Sequence, residues 1–172
     1  ASQVNASCNG NSNGSVTLTG SGGSGGYTYS NNATSGFTTT ATFTGLAAGS
    51  YTFYVKDSKD CPGSVNVTIT QPTVLTTTAT AGTFSCNSTN VKQSATVTID
   101  VPTTGTAPYT YSFEGGAFTG TRTFTVSDNG TDQTIHYIVK DNNGCTFSGS
   151  VVINRLNAPV ISGITHTDIY CT

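Results

Sequence analysis

Tyr51-Thr52-Phe53-Tyr54-Val55-Lys56-Asp57-Ser58-Lys59-Asp60-Cys61 and Ile135-His136-Tyr137-Ile138-Val139-Lys140-Asp141-Asn142-Asn143-Gly144-Cys145 are two versions of one phrase. Large apolar side chains stand at every second position, Tyr51, Phe53 and Val55 in one and Ile135, Tyr137 and Val139 in the other. Period two is the signature of a strand with one face on a core, so these six are predicted to point inward. Thr52, Tyr54, His136 and Ile138 take the outward phase. An Asp-led turn follows each strand, then a cysteine, then a Gly-Ser-Val step at Gly63-Ser64-Val65 and Gly149-Ser150-Val151. The phrase is a β-hairpin written twice.

Other residues keep the same register. Tyr27-Thr28-Tyr29-Ser30 returns as Tyr109-Thr110-Tyr111-Ser112. The five cysteines, Cys8, Cys61, Cys86, Cys145 and Cys171, are separated by 53, 25, 59 and 26 residues, a long-short rhythm expected of a tandem repeat. The pairing this suggests is Cys8 with Cys61 and Cys86 with Cys145, one bridge inside each repeat. Cys171 then holds the first-cysteine position of a third repeat and is unpaired. Zinc is disfavoured, because no C-x-x-C or His-rich spacing occurs. Persistent disulfides imply a location outside the reducing cytosol.

In the first repeat, strands are expected at 15–19, 27–30, 37–43, 51–55 and 65–69. In the second they are expected at 74–80, 95–101, 109–113, 123–126, 135–139 and 151–153. Short strands at such spacing predict an all-β chain of antiparallel sandwiches, immunoglobulin-like in the fibronectin III or PKD manner. Leu46 to Tyr51 reads as the corner entering the penultimate strand, where such sandwiches anchor a Tyr. The expected units are residues 1–72, whose N-terminal strand is open to truncation, then 73–157, and 158–172 as the start of a third. Pro72 and Pro159 restrict the junctions, so the units are expected to line up as an elongated rod.

Of 172 residues, 54 are Ser or Thr and only 14 are Asp, Glu, Lys or Arg. Six scattered cations cannot neutralise a run of phosphates, which argues against nucleic acid. No stretch approaches the roughly 18 apolar residues of a membrane helix. Ala1-Ser2-Gln3-Val4 is not a basic region leading into an apolar core, so the expectation is a mature product or an excised fragment.

One set of residues resembles a known family. An early Cys8, Asn13-Gly14-Ser15-Val16-Thr17, Tyr27-Thr28-Tyr29-Ser30, Gly45-Leu46-Ala47-Ala48-Gly49-Ser50-Tyr51, Val55-Lys56-Asp57 with Cys61, and Val67-Thr68-Ile69-Thr70-Gln71-Pro72 are similar to the SprB-type repeat. The resemblance covers most of residues 8–72. It is looser over 86–156, where the Val101 to Pro108 loop is longer and the Gly-Leu-x-x-Gly corner is missing. Such repeats occur in very large surface adhesins of gliding Bacteroidetes. The resemblance therefore implies an exported, cell-surface repeat protein, carried by the type IX route and built into a filament.

Sites of chemistry are sparse. His136 and His166 lack counterparts in the other copy, and Glu114 is the single glutamate. No catalytic or cofactor-binding residue is expected, nor an enzyme. The metal candidate is calcium at Asp128, Asn129 and Asp132, with Asp141 to Gly144 as further oxygen donors. Against it, no Glu completes the set and Asp-Asn-Gly is ordinary turn chemistry. Lys56 and Lys140 lie on the outward strand phase, which disfavours an isopeptide bond. Together with the repeat, the resemblance implies structural stalk repeats of a surface adhesin involved in adhesion and gliding motility, with neighbouring repeats as partners. The alternative is a module binding polysaccharide or another cell-surface component, and a third is an accessory domain of a secreted enzyme.

Overall fold

The computed structural model describes residues 1–89, 91–157 and 163. The expected start of a third repeat at 158–172, with His166 and Cys171, lies outside the described residues except for residue 163. The described residues contain strands, turns and loops, and no helix. None therefore forms a helix long and apolar enough to cross a membrane.

The strands form two sheet pairs of like design. In the first, β1 (Ser2–Val4), β2 (Gly14–Thr17) and β4 (Thr42–Leu46) make a sheet in the order β1-β2-β4. Its companion is β3 (Thr28–Ser30), β5 (Gly49–Lys56) and β6 (Pro62–Ile69), in the order β3-β5-β6. In the second pair, β7 (Ala79–Ala81), β10 (Ala95–Ile99) and β12 (Thr123–Val126) have β10 in the centre. They face a sheet in which β13 (Gln133–Lys140) lies between β11 (Thr110–Phe113) and β14 (Thr146–Ile153). All these pairings are antiparallel, and corresponding strands hold corresponding places. The second pair alone carries a small extra hairpin, β8 (Ser85–Cys86) with β9 (Lys92–Gln93).

The period-two reading of the opening phrase holds. Phe53 is buried between Val16 and Leu18 on one side and Val67 and Ile69 of its own sheet, with Tyr51 and Val55 half-buried at the margin. In the second pair Val97, Val126, Ile135 and Ile153 form one buried cluster and Ile99, Tyr111, Tyr137 and Val139 another. Apolar layers shared by facing sheets are consistent with a β-sandwich. The outward positions use their hydroxyls across strands: Thr52 Oγ1 donates to Asn66 Oδ1 at 2.8 Å, and Ser50 and Thr68 hydroxyls meet at 3.3 Å. The expected anchor forms, with the Tyr51 hydroxyl donating to Ala47 O at 3.0 Å.

Some boundaries differ from expectation. Residues 37–41 make an isolated bridge, Tyr29 with Thr38, and one backbone bond from Leu18 N to Ala41 O, and the strand runs instead from Thr42 through Leu46. Of 74–80 only the end joins a sheet, as β7. Apart from one backbone bond, Asp100 N to Thr78 O, the preceding stretch is held by hydroxyls: Thr76 N donates to Thr104 Oγ1, Thr104 Oγ1 to Val74 O, and Thr77 Oγ1 to Asp100 O. Thr-rich segments satisfy their backbone in either way, and alternation alone does not tell the two apart.

Candidate functional site

The Asp-led turns are built alike. Asp57 Oδ1 accepts from Lys59 N and Cys61 N, both at 2.9 Å, and Oδ2 from Ser24 N of the Gly-rich loop. Asp141 Oδ1 accepts from Asn143 N and Cys145 N, and Oδ2 from Thr106 N. One carboxylate thus closes the hairpin, fixes the second cysteine and ties down the loop before the Tyr-Thr-Tyr-Ser strand. These amide donors, that of Ser24 foremost, hold the Asp57 carboxyl below its usual range.

Cys145, set by this turn, is disulfide-bonded to Cys8, with Cα atoms 5.5 Å apart. Cys61 and Cys86 are free and exposed. The pairs expected from the sequence, Cys8 with Cys61 and Cys86 with Cys145, are therefore not formed, for a geometric reason. Cys61 immediately precedes β6, whereas the Cys8 loop is fastened beyond its far end: Ala6 N donates to Thr70 O, Gly10 N to Gln71 Oε1 and Asn9 Nδ2 to Pro72 O. Eight residues of strand put roughly 26 Å between those ends. A bridge tolerates Cα atoms only about 7 Å apart. The second pair repeats the situation: Cys145 precedes β14, while Phe84, close to Cys86 in sequence, packs on Ile153 at its far end.

The staple thus crosses from the first sheet pair to the second. Around it lies a cleft lined by Cys8, Pro72, Leu75, Gly105, Asp141 and Cys145. Leu75 is 4% exposed and fills the space beside Gly105, whose φ of 85° suits glycine and whose missing Cβ leaves room for Leu75 Cδ1. Asp141 is buried there.

The calcium candidates do not converge on an ion. Asp128 Oδ2 accepts from the Lys92 ammonium at 2.7 Å and Oδ1 from Gly130 N, an arrangement led by Lys92 that lowers the Asp128 pKa. Asn129 Oδ1 is taken up by Thr131, and Asp132 Oδ1 by Arg155 N. His136 and Glu114, read separately in the sequence, come together: Glu114 accepts from His136 N, and its carboxylate lies 3.7 Å from the exposed imidazole. Their register across β11 and β13 could have revealed the pair, had those strands been aligned with each other. Lys56 and Lys140 each lie over an aromatic ring, Phe37 and Phe118, at 4.6 and 4.2 Å from the centroid. Both are thus engaged at the surface.

Two like sheet pairs, a sequence repeat and a staple between them define the class: an antiparallel all-β repeat protein of the disulfide-bonded kind. The family model of the SprB repeat matches residues 1–34, the stretch from β1 through β3 and the loop after it. This bears out the resemblance read from the sequence over those residues. An SprB repeat suggests a cell-surface adhesin-like protein of the Bacteroidetes and, with it, an extracellular location. No curated protein matches the chain.

Proposed function

We propose that the chain is part of the load-bearing shaft of a surface adhesin, a row of immunoglobulin-like sandwiches forming an elongated, non-enzymatic rod. The observation that carries this reading is the Cys8–Cys145 bond. Tension entering at Ala1 reaches Cys8 after a few residues and leaves it through sulfur to Cys145. Everything between, nearly all of both sheet pairs, is shielded from the pull. Few charges and many hydroxyls suit a passive, hydrated coat. The gliding and adhesive roles, and export by the type IX route, belong to this reading through the SprB resemblance.

Single-molecule pulling from the two ends tests it. The oxidised chain should yield no long unfolding step from the stapled segment. Reduction should release about 480 Å more, from a loop of 137 residues at about 3.5 Å each. An oxidised chain that releases that length at once would refute the shaft. Binding of the isolated chain to a glycan array would favour the alternative, a polysaccharide-binding module.

A further inference from the structure

The bonded pair has a matching unbonded pair. Cys61 stands where Cys145 stands, each donating its N–H to the carboxylate of the turn Asp four residues before it. Cys86 stands where Cys8 stands. Gln3 pairs with Val16 and Cys8 follows it by five residues; Ala81 pairs with Val97 and Cys86 follows it by five, both cysteines lying within a Ser-Cys-Asn sequence. The surroundings of Cys61 also match those of Cys145, but uncovered. Gly23 lies four residues before Tyr27 as Gly105 lies before Tyr109, with its missing Cβ against Asp57 Oδ2, yet among the described residues no side chain plays the part of Leu75 over it. Gly22, Gly23, Asp57 and Cys61 line an open cleft. Asp57 is correspondingly only half-buried, where Asp141 is buried.

We infer that Cys61 and Cys86 are cross-linking sites for further units of the same kind, with Cys61 taking the first-position cysteine of one unit and Cys86 the second-position cysteine of another. This deepens the shaft reading and rests on it for the nature of the partner. Such a contact joins unlike ends, so it does not close on itself and propagates as a filament. Every joint then carries the staple seen between Cys8 and Cys145. The chemistry is thiol–disulfide exchange with a disulfide oxidant, for which oxidised glutathione serves as the probe. One cysteine thiolate attacks glutathione disulfide and expels one glutathione thiolate. The partner thiolate then attacks the protein sulfur of the mixed disulfide and expels the second. Two protein thiols and one glutathione disulfide become one protein disulfide and two glutathiones.

A second copy of the chain supplies the partner in the test. Two variants are prepared, Cys61→Ser with Cys171→Ser and Cys86→Ser with Cys171→Ser, and incubated in a glutathione redox buffer alone and mixed. Each alone should remain monomeric. The mixture should give a reducible dimer joined from Cys86 of one copy to Cys61 of the other by peptide mapping. It should exceed same-variant dimers by roughly tenfold, and denaturing urea should abolish that preference. Same-variant dimers in comparable yield, or no dimer while both variants keep Cys8–Cys145, would overturn the inference and leave the shaft reading standing. Loss of Cys8–Cys145 itself would take both down.

Discussion

At the turn that carries Cys61, Asp60 occupies the left-handed region with φ 61°, where Gly144 sits in the other copy at 83°. A side chain with a Cβ is disfavoured there, Asp less than most. The Lys56–Asp60 ion pair at 3.7 Å has its carboxylate exposed and offsets little of that cost. Asp60→Gly should therefore stabilise the first sheet pair by about 0.5–1 kcal/mol, read from urea unfolding. Asp57 in the same turn gives the chain an acid sensitivity. Its folded-state pKa is depressed below 3.8 by amide donors, so its stabilising effect is complete above the unfolded value and is lost as pH falls through the folded one. Asp128, lowered chiefly by Lys92, adds in the same direction in the second sheet pair. Melting temperatures should be flat above about pH 5 and fall steadily below about pH 4. Asp57→Asn, which loses the charge and keeps an acceptor oxygen, should reduce that fall. An unchanged acid slope would contradict the assignment.

The β5–β6 and β13–β14 hairpins are the elements on which each sheet pair is assembled. Phe53 is 1% exposed and touches both sheets of its pair, with Phe43 at 4.7 Å between ring centroids. Phe53→Ala should cost the first sheet pair about 3–5 kcal/mol. In the reduced chain, calorimetry should show one transition lowered and the other unmoved; a common shift of both would mean that the two pairs fold as one body. These hairpins were legible in the sequence because alternation, an Asp turn and a cysteine recur in one register. The edges were less so. β1, β8 and β9 are two or three residues long, too short for any period to show. The 74–78 stretch is Thr-rich like a strand, yet the Thr104 hydroxyl satisfies its backbone at Val74 and Thr76 from the side. The cysteine positions were readable, but their partners were not. Pairing depends on which end of β6 the Cys8 loop reaches, and that is set by the hydrogen bonds of Ala6, Asn9 and Gly10 to residues 70–72. The cleft around the staple was not legible for the same reason, since Cys8 and Pro72 come from one half of the chain and Leu75, Gly105 and Asp141 from the other.

Over the whole molecule, the staple joins the two sheet pairs, and in the proposed shaft it would limit the chain's length by covalent bonds. Domains of this size have modest cores. A bridge within each unit would stiffen that unit and leave every junction to a few residues around proline. A bridge between the sheet pairs, as Cys8–Cys145 makes, would in the proposed shaft short-circuit the load around both. The scarcity of charge fits such a part, which holds its shape by burial, hydroxyl pairing and sulfur. The central claim is the crossing itself, and disulfide mapping of the unreduced chain tests it most directly. Digestion under conditions that block exchange should yield a peptide pair joining Cys8 to Cys145, with Cys61 and Cys86 recovered as alkylated thiols. Recovery of Cys8 joined to Cys61, and Cys86 joined to Cys145, would contradict the account.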